Sequence, residues 1–289
     1  MFSGEITVLQ WLEQLRTPFW TRFWETITLL GEDTVFIFVI AFLYFLWSKK
    51  TAHRIAFLAV ASLGINGILK NTFRIPRPFA EGKVSCVRPE SATGYSFPSG
   101  HTQNFTTWSV ALADRAEQKK WMWLALFLSV MVGVSRMFLG AHYFSDVAAS
   151  LCLGVGISLV GNRILDQLSN QNRAYTAMFL LFTPFFIWFL CFPDPLFEDF
   201  FKCYGMLGGF LLAVRLEEAY GQFREDVSVL RRMLRMLVGV GLAFGLKTLL
   251  SAISFSGLHF SLVWDSCRYF LLVLVIFGGY PVILNKCNW

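Results

Sequence analysis

Between residues 70 and 146, an apolar chain is interrupted by three polar segments: KNTFRIPRP (70–78), PSGH (98–101) and SRMFLGAHYFSD (135–146). Together they carry several permanent cations, an aspartate and two of the four histidines of the chain. Ionisable groups set within an apolar bundle indicate a functional site rather than a lipid-facing surface. The three segments therefore constrain both the fold around them and the chemistry they can perform.

The composition places the chain in a membrane. Its 289 residues are 55% hydrophobic and 15% charged, and they include 31 Phe and 10 Trp. Soluble domains carry about 25% charged residues, and repeated apolar runs of membrane-spanning length explain the difference. The sequence therefore predicts an all-α fold, a polytopic membrane helical bundle.

We expect three parts along the chain. Residues 1–31 form amphipathic helices in the membrane interface, residues 32–165 form a core bundle that holds the polar segments, and residues 166–289 form a C-terminal transmembrane extension of four helices. About nine transmembrane helices are predicted, at 33–48, 54–72, 99–116, 121–140, 144–165, 174–191, 200–214, 233–252 and 266–285.

The span 99–116 carries unusual polarity for a membrane helix. Gln103, Asn104, Thr106 and Thr107 would be costly against lipid. Polar residues at membrane depth face the bundle interior or a wet cavity. This helix is therefore predicted to be central.

The distribution of charge predicts the orientation. Alternate loops near 49–54, 115–120, 163–173 and 215–235, with Lys286, hold fourteen Lys and Arg against seven Asp and Glu. The other side holds eleven against twelve, so the first side should be cytoplasmic. All three polar segments fall on the opposite, extracytoplasmic side.

The first polar segment offers two cations. Lys70 closes a predicted span, and Arg77 lies between Pro76 and Pro78, which stiffen the backbone around it. A rigid guanidinium can hold two phosphate oxygens, while a lysine supplies a point charge. By itself, the pair could equally reach for the membrane edge as snorkelling side chains.

The second segment begins a helix. Ser99 is a favourable N-cap, and Gly100 lets a ligand approach the backbone closely. The exposed N–H groups of a helix start favour a phosphate. His101 would then lie beside the bound anion, where it could protonate a leaving oxygen.

The third segment is the most informative. His142 and Asp146 are four residues apart, so on a helix they share a face. A carboxylate on one imidazole nitrogen fixes the tautomer and leaves the other nitrogen free to attack phosphorus. Arg136, six residues before His142, can cover the same anion. The three segments together predict a phosphate site.

The spacing resembles the type 2 phosphatidic acid phosphatase superfamily. That pattern is Lys, six residues, Arg-Pro; then Pro-Ser-Gly-His; then Ser-Arg, five residues, His, three residues, Asp. The chain matches all eleven specified positions within roughly residues 32–165, with nothing comparable after 170. The matching residues are Lys70, Arg77, Pro78, Pro98, Ser99, Gly100, His101, Ser135, Arg136, His142 and Asp146.

The resemblance implies a role for each of these polar positions. His142 is expected to be the nucleophile that forms a phosphohistidine, His101 the acid that protonates the leaving group, and Asp146 the residue that orients His142. The phosphate would be bound by Lys70, Arg77, Ser99, Gly100 and Arg136.

A phosphate site on a Phe-rich bundle suits a lipid whose tail stays in the bilayer. We predict a cell-membrane phosphatase for a phosphomonoester or diphosphate of a lipid, either phosphatidic acid-like or polyprenyl, without metal or other cofactor and without a nucleic acid partner. Three alternatives stay open: a sugar phosphatase of the glucose-6-phosphatase kind, a lipid phosphotransferase, and a transporter or receptor for anionic lipids, which has no use for the His142–Asp146 pair. The sequence leaves the oligomeric state open.

Overall fold

A computed structural model describes residues 3–223 and 227–289 of the chain. Residues 1–2 of the predicted interfacial segment and residues 224–226 of the 215–235 connection lie outside the described residues. Every regular element in the described part is helical, as predicted. The helices are α1 (Ser3–Gln14), α2 (Pro18–Thr28), α3 (Asp33–Phe42), α4 (Lys49–Phe73), α5 (Gly100–Ala113), α6 (Lys120–Phe138), α7 (Phe144–Gln167), α8 (Asn172–Cys191), α9 (Glu198–Tyr220), α10 (Val229–Ser251), α11 (Leu258–Val273) and α12 (Tyr280–Lys286).

Nine transmembrane helices are not confirmed. Within residues 3–223 and 227–289, six helical stretches are long and apolar enough to cross a membrane. A seventh is added if Pro18–Gly31 and Asp33–Trp47, which meet at a bend of 50°, count as one span. The six are Lys49–Phe73, Lys120–Phe138, Phe144–Gln167, Asn172–Cys191, Val229–Ser251 and Leu258–Lys286.

Two predicted spans fall outside these stretches. α5 has 14 residues, and at 1.5 Å per residue it is about 21 Å long, shorter than the roughly 30 Å hydrocarbon layer. α9 has 23 residues, but the charged groups in its first and last turns make it less apolar than the six stretches. The chain is an integral membrane protein, with six or seven candidate spans among the described residues.

α5 is central, as its polarity predicted. Gln103, Asn104, Thr106 and Thr107 are all buried. The Thr106 and Thr107 hydroxyls donate to carbonyl oxygens one turn earlier on the same helix, at 2.7 and 2.8 Å. These internal hydrogen bonds satisfy polar groups that lipid could not.

The chain divides into two compact units. Unit 1 comprises Met1–Phe36 and Ile65–Arg163, and unit 2 comprises Ile37–Gly64 and Ile164–Trp289. All eight candidate site residues belong to unit 1. The functional division at residues 31 and 165 stays a prediction.

Unit 1 has two buried apolar clusters. One joins α1 to the region of the third polar segment, and the other packs α5 against α6, with Val110, Ala113 and Ala125 at its centre. The first cluster consists of Leu9, Val84, Met137, Tyr143 and Val147.

In unit 2, small residues allow α9 to approach α11 closely. A Cβ on Gly205 would lie 2.0 Å from the Ser266 carbonyl oxygen, and one on Gly209 would lie 2.4 Å from that of Phe270. Two glycines four residues apart are typical of tightly packed membrane helices.

Candidate active site

Arg77 lies in the loop after α4, in direct contact with an imidazole. Its buried guanidinium donates to the carbonyl oxygens of Thr93, of Gly94 at 2.9 Å and of Ala141 at 3.1 Å. One of its terminal nitrogens is 3.0 Å from Nε2 of His142. Three carbonyl oxygens and one ring nitrogen therefore fix the plane of this guanidinium.

The His142 ring is oriented by Asp146 from its other side. Nδ1 is 3.3 Å from Oδ2 of Asp146, and both residues are almost fully buried. The same Oδ2 accepts the hydroxyl of Ser96 and the backbone N–H of Tyr143, the latter at 2.9 Å. Because a carboxylate only accepts, Nδ1 carries the proton, and Nε2 presents its lone pair to Arg77.

His142 precedes α7, and Asp146 lies in the first turn of that helix. The sequence predicted the pair on one helical face, whereas the structure joins a loop imidazole to a helix N-terminus. A negative charge is favourable there because it meets the positive end of the helix dipole. The orienting contact is the same, but its rigidity depends on the segment between α6 and α7.

The surroundings keep the His142 ring neutral. Burial lowers its pKa well below the ordinary value, and the positive charges of Arg77, Arg136 and Lys70 lower the pKa further. A neutral imidazole retains the lone pair that nucleophilic attack requires. The same cations thus favour both a bound anion and a neutral imidazole.

Arg136 projects from the last turn of α6 and is 1% exposed. Its guanidinium donates to the Thr28 hydroxyl at 3.1 Å, and to the hydroxyl and the carbonyl oxygen of Ser91, both at 3.2 Å. These acceptors are again neutral. The charge of Arg136 acts on both His101 and His142.

The N-terminus of α5 adjoins Lys70. A Cβ placed on Gly100 would lie 3.9 Å from Nζ of Lys70 and 3.6 Å from Oδ1 of Asn66. Ser99 occupies the N-cap position, but its hydroxyl bonds to that of Thr102 at 2.9 Å and makes no capping hydrogen bond. The predicted N-cap position of Ser99 is therefore confirmed, but its hydroxyl pairs with Thr102 instead of a backbone N–H.

His101 lies in the first turn of α5, where Gly31 packs against it. A Cβ on residue 31 would come within 2.9 Å of Cβ of His101. Nε2 of His101 is buried without a hydrogen-bond partner among the described residues. The positive charges of Arg136, Lys70 and Arg77 all act on this ring.

Some contributing residues have no motif of their own. Ser96 binds Asp146, Thr28 and Ser91 hold Arg136, and Asn66 donates to the carbonyl oxygen of Pro98 at 3.3 Å. Ser96 stands two residues before the PSGH segment, a weak signal that could have identified it. Thr28 is 108 residues from its partner, and its sequence neighbourhood gives no such signal.

Comparison with known proteins supports this architecture. Residues 51–170, which include all eight candidate site residues, match the family model described as PAP2 superfamily. Residues 201–289 match the model described as PAP2 superfamily phosphatase, transmembrane extension. The second match accounts for the part of the chain in which no motif was recognised.

The curated relatives are consistent with the family models. The undecaprenyl-diphosphatase BcrC of Bacillus subtilis is 31% identical over 42% of this chain and 61% of its own length. An undecaprenyl-diphosphatase of Sulfolobus acidocaldarius is 31% identical over 46% of this chain and 65% of its own. The crystal structure of Aquifex aeolicus LpxE aligns with a TM-score of 0.49 and 22% identity, over 56% of this chain and 96% of that one. The chain thus spans about two thirds or less of each curated relative, and it belongs to the PAP2 superfamily.

Proposed function

We propose that this protein is a membrane phosphatase that removes a phosphate from a lipid phosphomonoester or diphosphate. The observation that carries this proposal is the His142 ring, held by Asp146 at Nδ1 and presenting Nε2 to the Arg77 guanidinium. A nucleophile directed into a group of cations is the arrangement that phosphoryl transfer needs. A protein that only bound anions would need the cations but not the oriented ring.

The first half of the reaction forms a phosphohistidine. The phosphoryl oxygens of the substrate draw the Arg77 donors away from Nε2, and Lys70, Arg136 and the first turn of α5 bind the same anion. The Nε2 lone pair attacks phosphorus in line as the bond to the leaving oxygen breaks. The negative charge of the bound phosphate favours the protonated form of His101, which supplies a proton to that oxygen, and Asp146 stabilises the charge that the His142 ring acquires.

The second half releases phosphate. Neutral His101 accepts a proton from a water molecule, whose oxygen attacks phosphorus and displaces Nε2 of His142. Inorganic phosphate leaves, and both imidazoles return to their starting states. The cations bind the phosphoryl oxygens more strongly as charge spreads over them, which is where most of the rate enhancement originates.

A lipid substrate follows from the setting. The site belongs to an integral membrane protein rich in Phe, and the curated relatives that match include two undecaprenyl-diphosphatases. The charge count of the loops supports a site on the extracytoplasmic face of the cell membrane. An amphiphile can then bring its phosphate to the site while its chain stays in the bilayer.

Phosphate release from purified protein tests the proposal. Detergent-solubilised protein is given dioleoyl phosphatidic acid, undecaprenyl diphosphate or glucose 6-phosphate, with and without vanadate. We expect vanadate-sensitive release from at least one lipid and none from the sugar phosphate. Release from glucose 6-phosphate alone, or transfer to an acceptor without free phosphate, would contradict the assignment.

A further inference from the structure

The segment that carries His142 connects two helix ends. α6 ends at Phe138 and α7 begins at Phe144, so the intervening residues leave the last carbonyl groups of one helix and the first N–H groups of the next without helical partners. The direction of Nε2 depends on how these two ends are fixed. In this structure both are bound by side chains of the N-terminal region.

Arg16, directly after α1, binds the end of α6. Its Nε donates to the carbonyl oxygen of Phe138 at 2.9 Å. A terminal nitrogen donates to the carbonyl oxygen and the hydroxyl of Ser85 at 3.1 and 2.7 Å, and Glu13 accepts from both Arg16 and Ser85. A cation is favourable at a helix C-terminus, where it faces the negative end of the dipole.

Gly140 allows this close approach. Its φ is +78°, in the left-handed region that suits glycine. A Cβ at this position would lie 2.2 Å from the carbonyl oxygen of Ser85 and 2.9 Å from a terminal nitrogen of Arg16. The backbone between Arg136 and His142 is thus packed directly against the Arg16 network.

Glu5, in the first turn of α1, binds the start of α7. One carboxylate oxygen accepts the backbone N–H of Ser145 at 2.7 Å, and the other accepts the Ser145 hydroxyl at 3.3 Å. Ser145 immediately precedes Asp146. The carboxylate therefore caps the helix whose first turn orients the His142 ring.

Leu9, between these two polar contacts, is 1% exposed. It packs in one apolar cluster with Met137, Tyr143 and Val147. These three residues directly follow Arg136, His142 and Asp146 in the chain. One face of α1 thus lies against the neighbours of three candidate site residues.

We infer that α1 and the turn after it act as a clamp on the His142 segment, with Glu5 and Arg16 as positioning residues. The inference rests on the proposed function. It goes beyond that function because α1 lies outside residues 51–170 and 201–289, which match the family models. Glu5 and Arg16 hold opposite ends of the segment, so losing either lets Nε2 drift from the line of attack.

The test compares Glu5→Ala and Arg16→Met with Arg22→Met, a control at an exposed arginine of the neighbouring helix α2. Each full-length variant is purified, and kcat, KM and the vanadate inhibition constant are measured on the preferred lipid. We expect kcat to fall about 10- to 100-fold in the two clamp variants, since small misplacements of reacting groups have effects of that size. KM should change little, and the control should match the wild type.

The vanadate inhibition constant distinguishes a misplaced His142 ring from a smaller fraction of folded protein. If Nε2 is displaced, the enzyme binds a transition-state analogue more weakly, so the vanadate inhibition constant should rise as kcat falls. Arg16→Lys keeps a donor for the carbonyl oxygen of Phe138. This variant should therefore recover part of the kcat and part of the vanadate affinity. Unchanged kcat in both clamp variants would overturn the inference. A lower kcat with an unchanged vanadate constant would overturn it as well, because fewer folded molecules alone explain it. If instead the wild type releases no phosphate, the proposed function itself has failed.

Discussion

Each unit contains a buried histidine, and the surroundings of the two rings are opposite in kind. His142 in unit 1 contacts Asp146 and Arg77 through its two ring nitrogens. His53 in unit 2 is surrounded by the rings of Tyr44, Phe210 and Phe277, with centroids 5.6, 5.9 and 6.2 Å away. Its Nε2 has no hydrogen-bond partner among the described residues. Burial alone therefore does not make an imidazole reactive.

Buried and partly buried cations also have different partners in the two units. In unit 2, Lys49 is 3.0 Å from Glu217, Arg54 is 2.8 Å from Asp166, and Arg268 is 2.8 Å from Asp265. In unit 1, carbonyl oxygens, hydroxyls and an imidazole orient Arg77 and Arg136. A carboxylate neutralises the cation that it contacts, whereas carbonyl oxygens, hydroxyls and an imidazole nitrogen orient a cation without adding a formal negative charge.

The two histidines give the largest expected contrast. His142→Ala should lower kcat by about 10³-fold or more, because the attacking atom is lost. His53→Leu should keep near wild-type kcat per folded molecule, since its neighbours are rings. Phosphate release measures both. Comparable losses of kcat in the two variants would contradict the proposed difference between His142 and His53.

The variant Arg77→Lys tests whether the planar arrangement of guanidinium donors matters in addition to the positive charge. Arg77→Lys keeps one positive charge but loses the planar set of donors, so kcat/KM should fall about 10²- to 10³-fold, the usual effect of losing a transition-state donor. Steady-state kinetics on the preferred lipid checks this. Activity equal to the wild type would show that a point charge suffices.

Asp265 in unit 2 should affect stability rather than turnover. Asp265→Asn removes the charge opposite Arg268, and we expect a loss of about 1.5–3 kcal/mol of unfolding free energy, the contribution typical of a hydrogen bond to a charged group. Thermal unfolding in detergent measures the loss, and kcat per folded molecule should stay unchanged. A selective fall in kcat would place this pair in the catalytic machinery.

The pH dependence of kcat/KM tests how the surrounding cations in unit 1 affect the His142 ring. Because burial and three cations lower the pKa of His142, the ring stays neutral as pH falls through its ordinary pKa of about 6.5. The acid limb of kcat/KM that reports this ring should therefore lie below that value. Lys70→Met removes one repelling charge, raises the pKa and should move the limb to higher pH. If the acid limb moved to lower pH in this variant, the predicted direction of the pKa change would be wrong.

Chelation should have the smallest effect. The side-chain cations of unit 1 can provide the charge that a metal ion provides in other phosphoryl-transfer sites. Prolonged incubation with EDTA should leave phosphate release unchanged. Loss of activity that added Mg²⁺ restores would show that the guanidiniums and Lys70 are not sufficient.

Local spacing predicted a large part of the site, because its catalytic elements are short-range. Asp146 follows His142 by one helical turn, and PSGH begins α5, so sequence separation indicated proximity or a helix end. Arg16 and Glu5 could not be found this way. Their contacts with Phe138 and Ser145 span 122 and 140 residues, and only the packing of α1 brings them there.

The helices show a similar limit. The polarity of α5 correctly predicted that this helix is buried, but polarity carries no information about helix length. The predicted count of nine membrane spans therefore did not allow for a buried helix that is shorter than the hydrocarbon layer. The apolar residues of α1 show a further limit, because spacing along a helix does not tell which of them packs inward. In the structure, Leu9 is buried while Val8, Trp11 and Leu15 are exposed.

The contact between Arg77 and Nε2 of His142 has a consequence for selectivity. In this contact, the Nε2 lone pair accepts a guanidinium proton and is not available for attack. Under the proposed function, only a ligand with enough anionic oxygens to bind that guanidinium would release the nitrogen. A dianionic phosphate group can do so and an uncharged ester cannot, so this contact would select substrates by charge before the attack on phosphorus.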